Sequence, residues 1–189
     1  MEHRYLQMQN IETRNDENTD DLYIEGIFSV YNSNYYVWDG VTESIAPGAF
    51  RNSIHGDVRA LYNHNSDIIL GRTSAGTLEL EDREEGLWGR IKLNKNDTDA
   101  ANVYERIKRG DISGCSFGFD IKDEERSVSD DGSVHYTIKE VDPLFEISPV
   151  VFPAYEATHV EARHLNEENI KKRMNEEWKM RMKEKLKGE

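Results

Sequence analysis

The sequence contains a single cysteine, Cys115, so no disulfide can form within its 189 residues. A lone thiol favours a reducing compartment. No apolar run approaches the roughly 18 to 20 residues that cross a membrane as a helix. The first ten residues also lack the basic-then-apolar layout of a secretory signal. We therefore expect a soluble, intracellular protein with no membrane partner.

Basic residues are in deficit. The chain has 24 lysines and arginines against 37 aspartates and glutamates, which gives a net charge of −13. Proteins that bind nucleic acids present a basic field to the phosphate groups, and this sequence supplies no such field overall. We therefore expect no nucleic-acid partner.

The sequence also lacks the common motifs of metal and cofactor sites. It contains no C-x-x-C, no H-E-x-x-H, no Walker loop and no G-x-G-x-x-G. The six histidines are scattered, and His159 and His164 are five residues apart, a poor spacing for ligands on one helical face. We expect neither a metal ion nor a cofactor.

The charge that is present is unevenly distributed. Residues 161–189 hold nine basic and seven acidic side chains, a net +2, so the rest of the chain carries −15. Apolar residues recur every fourth position there: Ile170, Met174, Trp178, Met182 and Leu186. This spacing predicts an amphipathic helix, which could pack on its own domain, dock on a partner or lie on a membrane surface.

Three segments follow from these patterns. Residues 1–21 are predicted to be a flexible lead-in, because residues 12–21 are polar and acidic. Residues 22–160 form the predicted globular domain, and residues 161–189 form the helical tail.

The globular part has the signals of short strands. Apolar alternation and turn residues predict strands at about 22–31, 58–62, 112–122, 134–141 and 144–151, with a hairpin over 78–93. One helix is predicted between an N-cap at Asp97 and a stop at Gly110. Since strands and helices do not alternate, we expect a mainly β fold of the α+β class, an antiparallel barrel or sandwich with peripheral helices.

One local pattern could carry chemistry. Residues 114–118, GCSFG, match the G-x-S-x-G nucleophile elbow of α/β-hydrolases, which would make the protein an esterase. An elbow requires a helix directly after the serine, and the residues after Gly118 lack helical spacing. A glycine-rich core strand with a buried Ser116 hydroxyl is the structural alternative.

His64 is the natural partner for Ser116. It follows the short apolar strand at 58–62 and lies between two asparagines. A neutral imidazole within hydrogen-bond reach takes the proton of a serine as that serine attacks. Spacing alone does not show that the two residues meet, and a purely structural histidine is the alternative.

Five segments in order resemble the prohead (capsid-maturation) proteases of tailed bacteriophages. They are IAPGAF (45–50), DVRALYNHN (57–65), ILGRTSAGTLEL (69–80), IKRGDISGCSFGF (107–119) and FEISPVVFPAYEAT (145–158). The family is similar in fold to the herpesvirus assemblin proteases, so the resemblance implies an antiparallel β-barrel of that type. It covers most of residues 22–160 and leaves out the tail.

The resemblance implies a serine endopeptidase and assigns its residues. Ser116 falls on the nucleophile and His64 on the catalytic histidine, although Asn65 departs from the usual N-H-D word. Glu146 is our choice for the third member, with Asp142 and Glu140 as alternatives. Two kinds of donor could form the oxyanion hole: backbone N–H groups of the glycine-rich segment, or a nearby arginine such as Arg72.

Cys115 and Ser113 lie close to Ser116 in sequence and are alternative nucleophiles. Adjacent strand residues point to opposite faces, so only one of Cys115 and Ser116 can face the histidine. We interpret Cys115 as a small core residue, and Ser113 also lies on the face opposite Ser116.

The family further implies where and on what the enzyme acts. Its expected substrates are the major capsid protein with its scaffold segment, and the protease itself by autocleavage. The expected location is the immature prohead in the bacterial host cytoplasm, and a homodimer is suggested by analogy with the herpesvirus enzymes. The alternative is a catalytically silent assembly or scaffold protein that binds through the C-terminal helix.

Overall fold

The structure, a computed structural model, describes residues 2–6, 11–16, 21–38 and 40–152. These ranges contain one α-helix, α1 (Thr98–Arg109), and eleven strands. The strands are β1 (Glu2–Leu6), β2 (Ile11–Asp16), β3 (Asp21–Val30), β4 (Tyr35–Trp38), β5 (Val41–Ile45), β6 (Arg59–Tyr62), β7 (Asn65–Arg72), β8 (Leu78–Asp82), β9 (Gly86–Lys92), β10 (Gly114–Val128) and β11 (Val134–Val150). The predicted tail helix at 161–189 lies outside the described residues.

The strands form two sheets. One sheet runs β1-β10-β11-β5-β4, with β6 pairing both β11 and β7, and the other runs β2-β3-β9-β8. The prediction of a mainly β, α+β fold is confirmed. Within the described ranges the strands do not close into a barrel, and β11 runs parallel to both β5 and β6. The expectation of an antiparallel barrel is corrected accordingly, because strand alternation identifies a buried face but not the partner or the direction of pairing.

The main core lies between the two sheets. Gly89 of β9 leaves so little space that an added Cβ would lie 2.9 Å from Ile147 Cδ1 of β11 and 3.1 Å from the Phe28 ring. Phe117 of β10 stacks on Phe119 at 5.0 Å between ring centroids and meets Phe50 edge-on at 5.5 Å. The sheets are therefore held together by close apolar packing at their inner faces.

Helix α1 forms where the sequence predicts it. The Asp97 side chain accepts hydrogen bonds from the backbone N–H groups of Asp99 and Ala100 at 2.9 and 3.3 Å, which is an N-cap. Gly110 ends the helix with a left-handed φ of 88°. The buried face carries Ala100, Val103, Tyr104 and Ile107, the helical spacing seen in the sequence.

Within the flexible lead-in predicted for residues 1–21, the structure describes strands at residues 2–6 and 11–16. Ile11–Asp16 forms β2, which pairs antiparallel with β3 along its whole length. Ladder hydrogen bonds use only backbone groups, so a polar segment can cover the edge of a buried strand. Ile11 also packs against the main core.

The last two strands are longer than predicted. Val134–Val150 is one continuous strand rather than two, and Gly114–Val128 extends beyond the predicted end at residue 122. Register shifts between Gly118 and Glu124 bend the pair of strands instead of ending it.

No helix in the described ranges is long and apolar enough to cross a membrane.

Candidate active site

Ser116 lies near the start of β10, directly opposite Ser148 of β11. Two residues further along β10, Gly118 lies opposite Glu146. Opposed residues of an antiparallel pair share a face, as do residues two apart in one strand. Ser116, Glu146 and Ser148 therefore project from one face of the β10–β11 pair, and all three are buried.

His64 lies at the tip of the β6–β7 hairpin. Tyr62 pairs with Asn65, so Asn63 and His64 are the two residues of the turn. Their φ angles are 54° and 59°. Positive φ at both central positions is the pattern of a type I′ turn, which matches the twist of paired strands, and asparagine tolerates it well.

Three hydrogen bonds join this turn to the end of β11. The Asn63 backbone N–H donates to the Pro149 carbonyl at 3.0 Å, and the Asn63 Oδ1 accepts from the Val151 N–H at 3.0 Å. The His64 N–H donates to the Ser148 hydroxyl at 3.3 Å. The histidine is therefore fixed over the strand that carries Glu146.

Glu146 contacts the ring of His64. Its Oε1 lies 2.7 Å from His64 Nδ1, and its Oε2 accepts from the Ser148 hydroxyl at 2.5 Å. A carboxylate is only an acceptor, so Nδ1 carries the proton in this pair and Nε2 is the basic nitrogen. His64 Nε2 is itself buried.

The two alternative carboxylates have another partner. The Lys122 ammonium lies 2.9 Å from Glu140 Oε1 and 3.1 Å from Asp142 Oδ2. The hydrogen bond from Lys122 lowers the pKa of Glu140. Of the three carboxylates considered for the third position, Glu146 is the one that contacts His64.

The structure places Cys115 as a core residue. It is fully buried in the main core, on the strand face opposite Ser116. Burial raises the pKa of its thiol well above the usual value, because a thiolate is poorly solvated there. A thiol that stays protonated is a poor nucleophile. Ser113 is exposed and precedes β10.

The G-x-S-x-G match is not a nucleophile elbow. β10 continues from Gly114 through Ser116 to Val128, so the residues directly after the serine are strand and not helix. The esterase hypothesis required a sharp strand-to-helix turn at this point, and it is wrong for that reason.

Arg72, one candidate for the oxyanion hole, is bound to Asp57. Its Nε and a terminal nitrogen lie 2.8 and 2.5 Å from the two carboxylate oxygens. The hydrogen bond from Arg72 lowers the pKa of Asp57. A guanidinium paired with both oxygens of a carboxylate has fewer donors to offer an oxyanion, which leaves the backbone N–H groups of the glycine-rich segment as the candidates.

Within the described part of the chain, no group of three or more His, Cys, Asp or Glu side chains could hold a metal ion.

Sequence reasoning missed Asn63 and Ser148. Asn63 had one usable signal, since an asparagine between a strand and its return strand is typical of a tight turn with positive φ. Ser148 had a weaker one, its spacing of two residues from Glu146 in a predicted strand.

Three comparisons bear on the identity of the chain. The family described as "Caudovirus prohead serine protease" matches residues 9–173. The prohead protease of Enterobacteria phage HK97 is 28% identical over 142 residues, which are 73% of this chain. This chain spans 60% of the length of that relative.

Among solved structures, the bacteriophage T4 capsid assembly protease gp21 aligns with a TM-score of 0.47 and 18% identity, over 81% of this chain and 100% of that one. The family match covers well over half of the residues, including all three of His64, Ser116 and Glu146. The chain therefore belongs to the caudovirus prohead serine protease family.

Proposed function

We propose that this protein is a serine endopeptidase with Ser116 as nucleophile, His64 as general base and Glu146 as the group that orients the imidazole. The observation that carries the proposal is the contact of 2.7 Å between His64 Nδ1 and Glu146 Oε1, on the strand paired with the one that carries Ser116. The family match supports the same chemistry.

In the proposed mechanism, the Ser116 Oγ attacks the carbonyl carbon of a peptide bond and its proton passes to His64 Nε2. Glu146 stabilises the imidazolium that forms. The imidazolium then donates its proton to the leaving amine, and an acyl-enzyme results. Water attacks the acyl carbon with His64 again as base, which releases the new carboxylate and regenerates Ser116.

The proposed substrates are the capsid protein with its scaffold segment and the protease itself. Cleavage would occur inside the immature prohead in the host cytoplasm. We assign catalysis to residues 22–160 and docking on capsid or scaffold to residues 161–189, whose net charge of +2 contrasts with the acidic body. Self-association as a homodimer belongs to the same proposal.

Co-expression with the neighbouring capsid gene tests the function. The wild-type chain should shorten the capsid protein, and Ser116→Ala should abolish that shortening. Ser53→Ala is a matched control, because Ser53 is also buried but donates to the Phe50 carbonyl at 3.1 Å, outside the site. Capsid processing that persists with Ser116→Ala would overturn the nucleophile assignment.

A small serine-reactive phosphonate separates this function from that of a silent assembly protein. Ser116 is fully buried, so a reagent or peptide gains access only when neighbouring chain moves, and a small probe is preferable. Covalent labelling of wild type but not of Ser116→Ala supports the protease. An assembled wild-type protein that takes no label supports the assembly role instead.

A further inference from the structure

The hydroxyl of Ser148 joins the two residues that support the proposed nucleophile. It donates to Glu146 Oε2 at 2.5 Å and accepts from the His64 backbone N–H at 3.3 Å. A serine hydroxyl has one proton to donate and two lone pairs that accept. Ser148 is fully buried, so water does not substitute for either bond.

The place of Ser148 in the sheet explains this contact. It lies two residues after Glu146 on β11, so both side chains project from the same face. It also lies directly opposite Ser116 on β10. One side chain is therefore adjacent to the acid, to the backbone of the base and to the strand position of the nucleophile.

The two bonds restrict motions that would otherwise misalign the site. The terminal torsion of a glutamate is broad, so a carboxylate held by one oxygen can rotate away from its partner. The bond to Oε2 fixes the carboxylate plane while Oε1 faces His64 Nδ1. The bond to the His64 N–H fixes a backbone that holds a positive φ of 59°.

We propose that Ser148 is a positioning residue of the proposed protease, which holds the Glu146 carboxylate and the His64 turn in the geometry that His64 needs to act as a base. This inference rests on the proposed function. It adds a fourth side chain to the three assigned above, and Ser148 acts through its hydrogen bonds to Glu146 and His64.

Phosphonate labelling rates give the first test. Ser148→Ala should label Ser116 about 10- to 100-fold more slowly, the effect of losing a hydrogen bond to a charged group. Ser148→Cys, which keeps a weak donor of similar size, should give an intermediate rate. The control Ser53→Ala should label as fast as wild type, and equal rates for Ser148→Ala and wild type would overturn the inference.

A double-mutant cycle with Glu146→Ala separates positioning from a general structural role. If Ser148 acts through Glu146, most of the slowing caused by Ser148→Ala should disappear once Glu146 has been removed. If Ser148 only stabilises the fold, the factors by which the two substitutions slow labelling should multiply. That result would overturn the inference.

A spectroscopic test does not depend on catalysis. In the Ser116→Ala chain, the proton between His64 Nδ1 and Glu146 should give a low-field imidazole N–H resonance. Adding Ser148→Ala should broaden or remove this resonance, whereas adding Ser53→Ala should leave it in place. Persistence of a sharp resonance after Ser148→Ala would overturn the inference.

A wild-type chain that takes no phosphonate would overturn the proposed function, while this resonance would still decide whether Ser148 positions His64.

Discussion

Asn63 and His64 both hold positive φ angles, at 54° and 59°. Residues other than glycine hold this conformation at a cost of order 1 kcal/mol or more, and they keep it only where their surroundings fix it. The bond from the Val151 N–H to Asn63 Oδ1 at 3.0 Å is such a constraint, because it attaches the turn to the chain beyond β11.

The side chain of Asn63 can be tested apart from its backbone conformation. Asn63→Gly keeps a residue suited to positive φ but loses the Oδ1 acceptor, so labelling of Ser116 should slow about fivefold, the value of one net hydrogen bond. Asn63→Asp keeps the acceptor and should stay close to wild type. Asn94→Gly is the control, since Asn94 Oδ1 accepts from the Asn96 N–H at 3.0 Å in a loop with no contact to the site. Equal labelling of the Gly and Asp variants at position 63 would contradict this expectation.

Cys115 should be chemically silent in the folded protein. Burial raises the pKa of its thiol, so an aromatic disulfide reagent at pH 8 should react with the unfolded chain and only very slowly with the native one. Cys115→Ala should keep phosphonate labelling and cost about 1 kcal/mol of stability through the small cavity that it leaves. Rapid reaction of the native thiol would show that the residue is accessible and would reopen its role.

At the scale of elements, the contact between the sheets depends on one glycine. Gly89→Ala would place a Cβ 2.9 Å from Ile147 Cδ1, and we expect a loss of about 1–3 kcal/mol in the free energy of unfolding, measured by urea denaturation. Ile147→Val removes that Cδ1 atom. The double variant should therefore be more stable than the sum of the single effects implies, although the Phe28 ring at 3.1 Å limits the rescue. Additive losses would show that Ile147 is not the obstacle.

The sequence predicts local elements well and pairing poorly. The α1 helix follows from its caps at Asp97 and Gly110, and the hairpin of β8 and β9 follows from apolar alternation. The parallel pairing of β11 with β5 joins Val134 to Val41 and has no local signal, since both directions bury the same face.

The candidate site, like the fold, is only partly predictable from the sequence. The roles of His64, Ser116 and Glu146 were assigned from the family resemblance and stay predictions. The contacts of Asn63 with Val151 and of Ser148 with His64 appear only when the hairpin and β11 are brought together, because each joins residues more than 80 positions apart.

At the scale of the whole molecule, surface ion pairs make the fold sensitive to acid. Hydrogen bonds from Lys122 and Arg72 lower the pKa values of Glu140 and Asp57 in the folded state. A lowered carboxylate pKa contributes stability above the ordinary value near 4 and loses it as the pH falls further. The temperature at the midpoint of thermal unfolding should therefore fall as the pH is lowered below about 4. Lys122→Met should make that fall shallower than Lys108→Met, which removes the same charge from a looser pair at 3.6 Å. If the midpoint temperatures of the two variants fall in parallel with decreasing pH, this account is contradicted.

The arrangement of β11 also bears on when the proposed site can form during synthesis of the chain. His64 is translated 82 residues before Glu146, and its turn is held by Ser148, Pro149 and Val151. A nascent chain from which β11 has not yet emerged thus holds Ser116 and His64 without the strand that orders them. The proposed protease would become competent only after residue 151 has left the exit tunnel and β11 has joined its parallel partners. Such pairing of distant segments is slow, so the proposed site is completed late in folding.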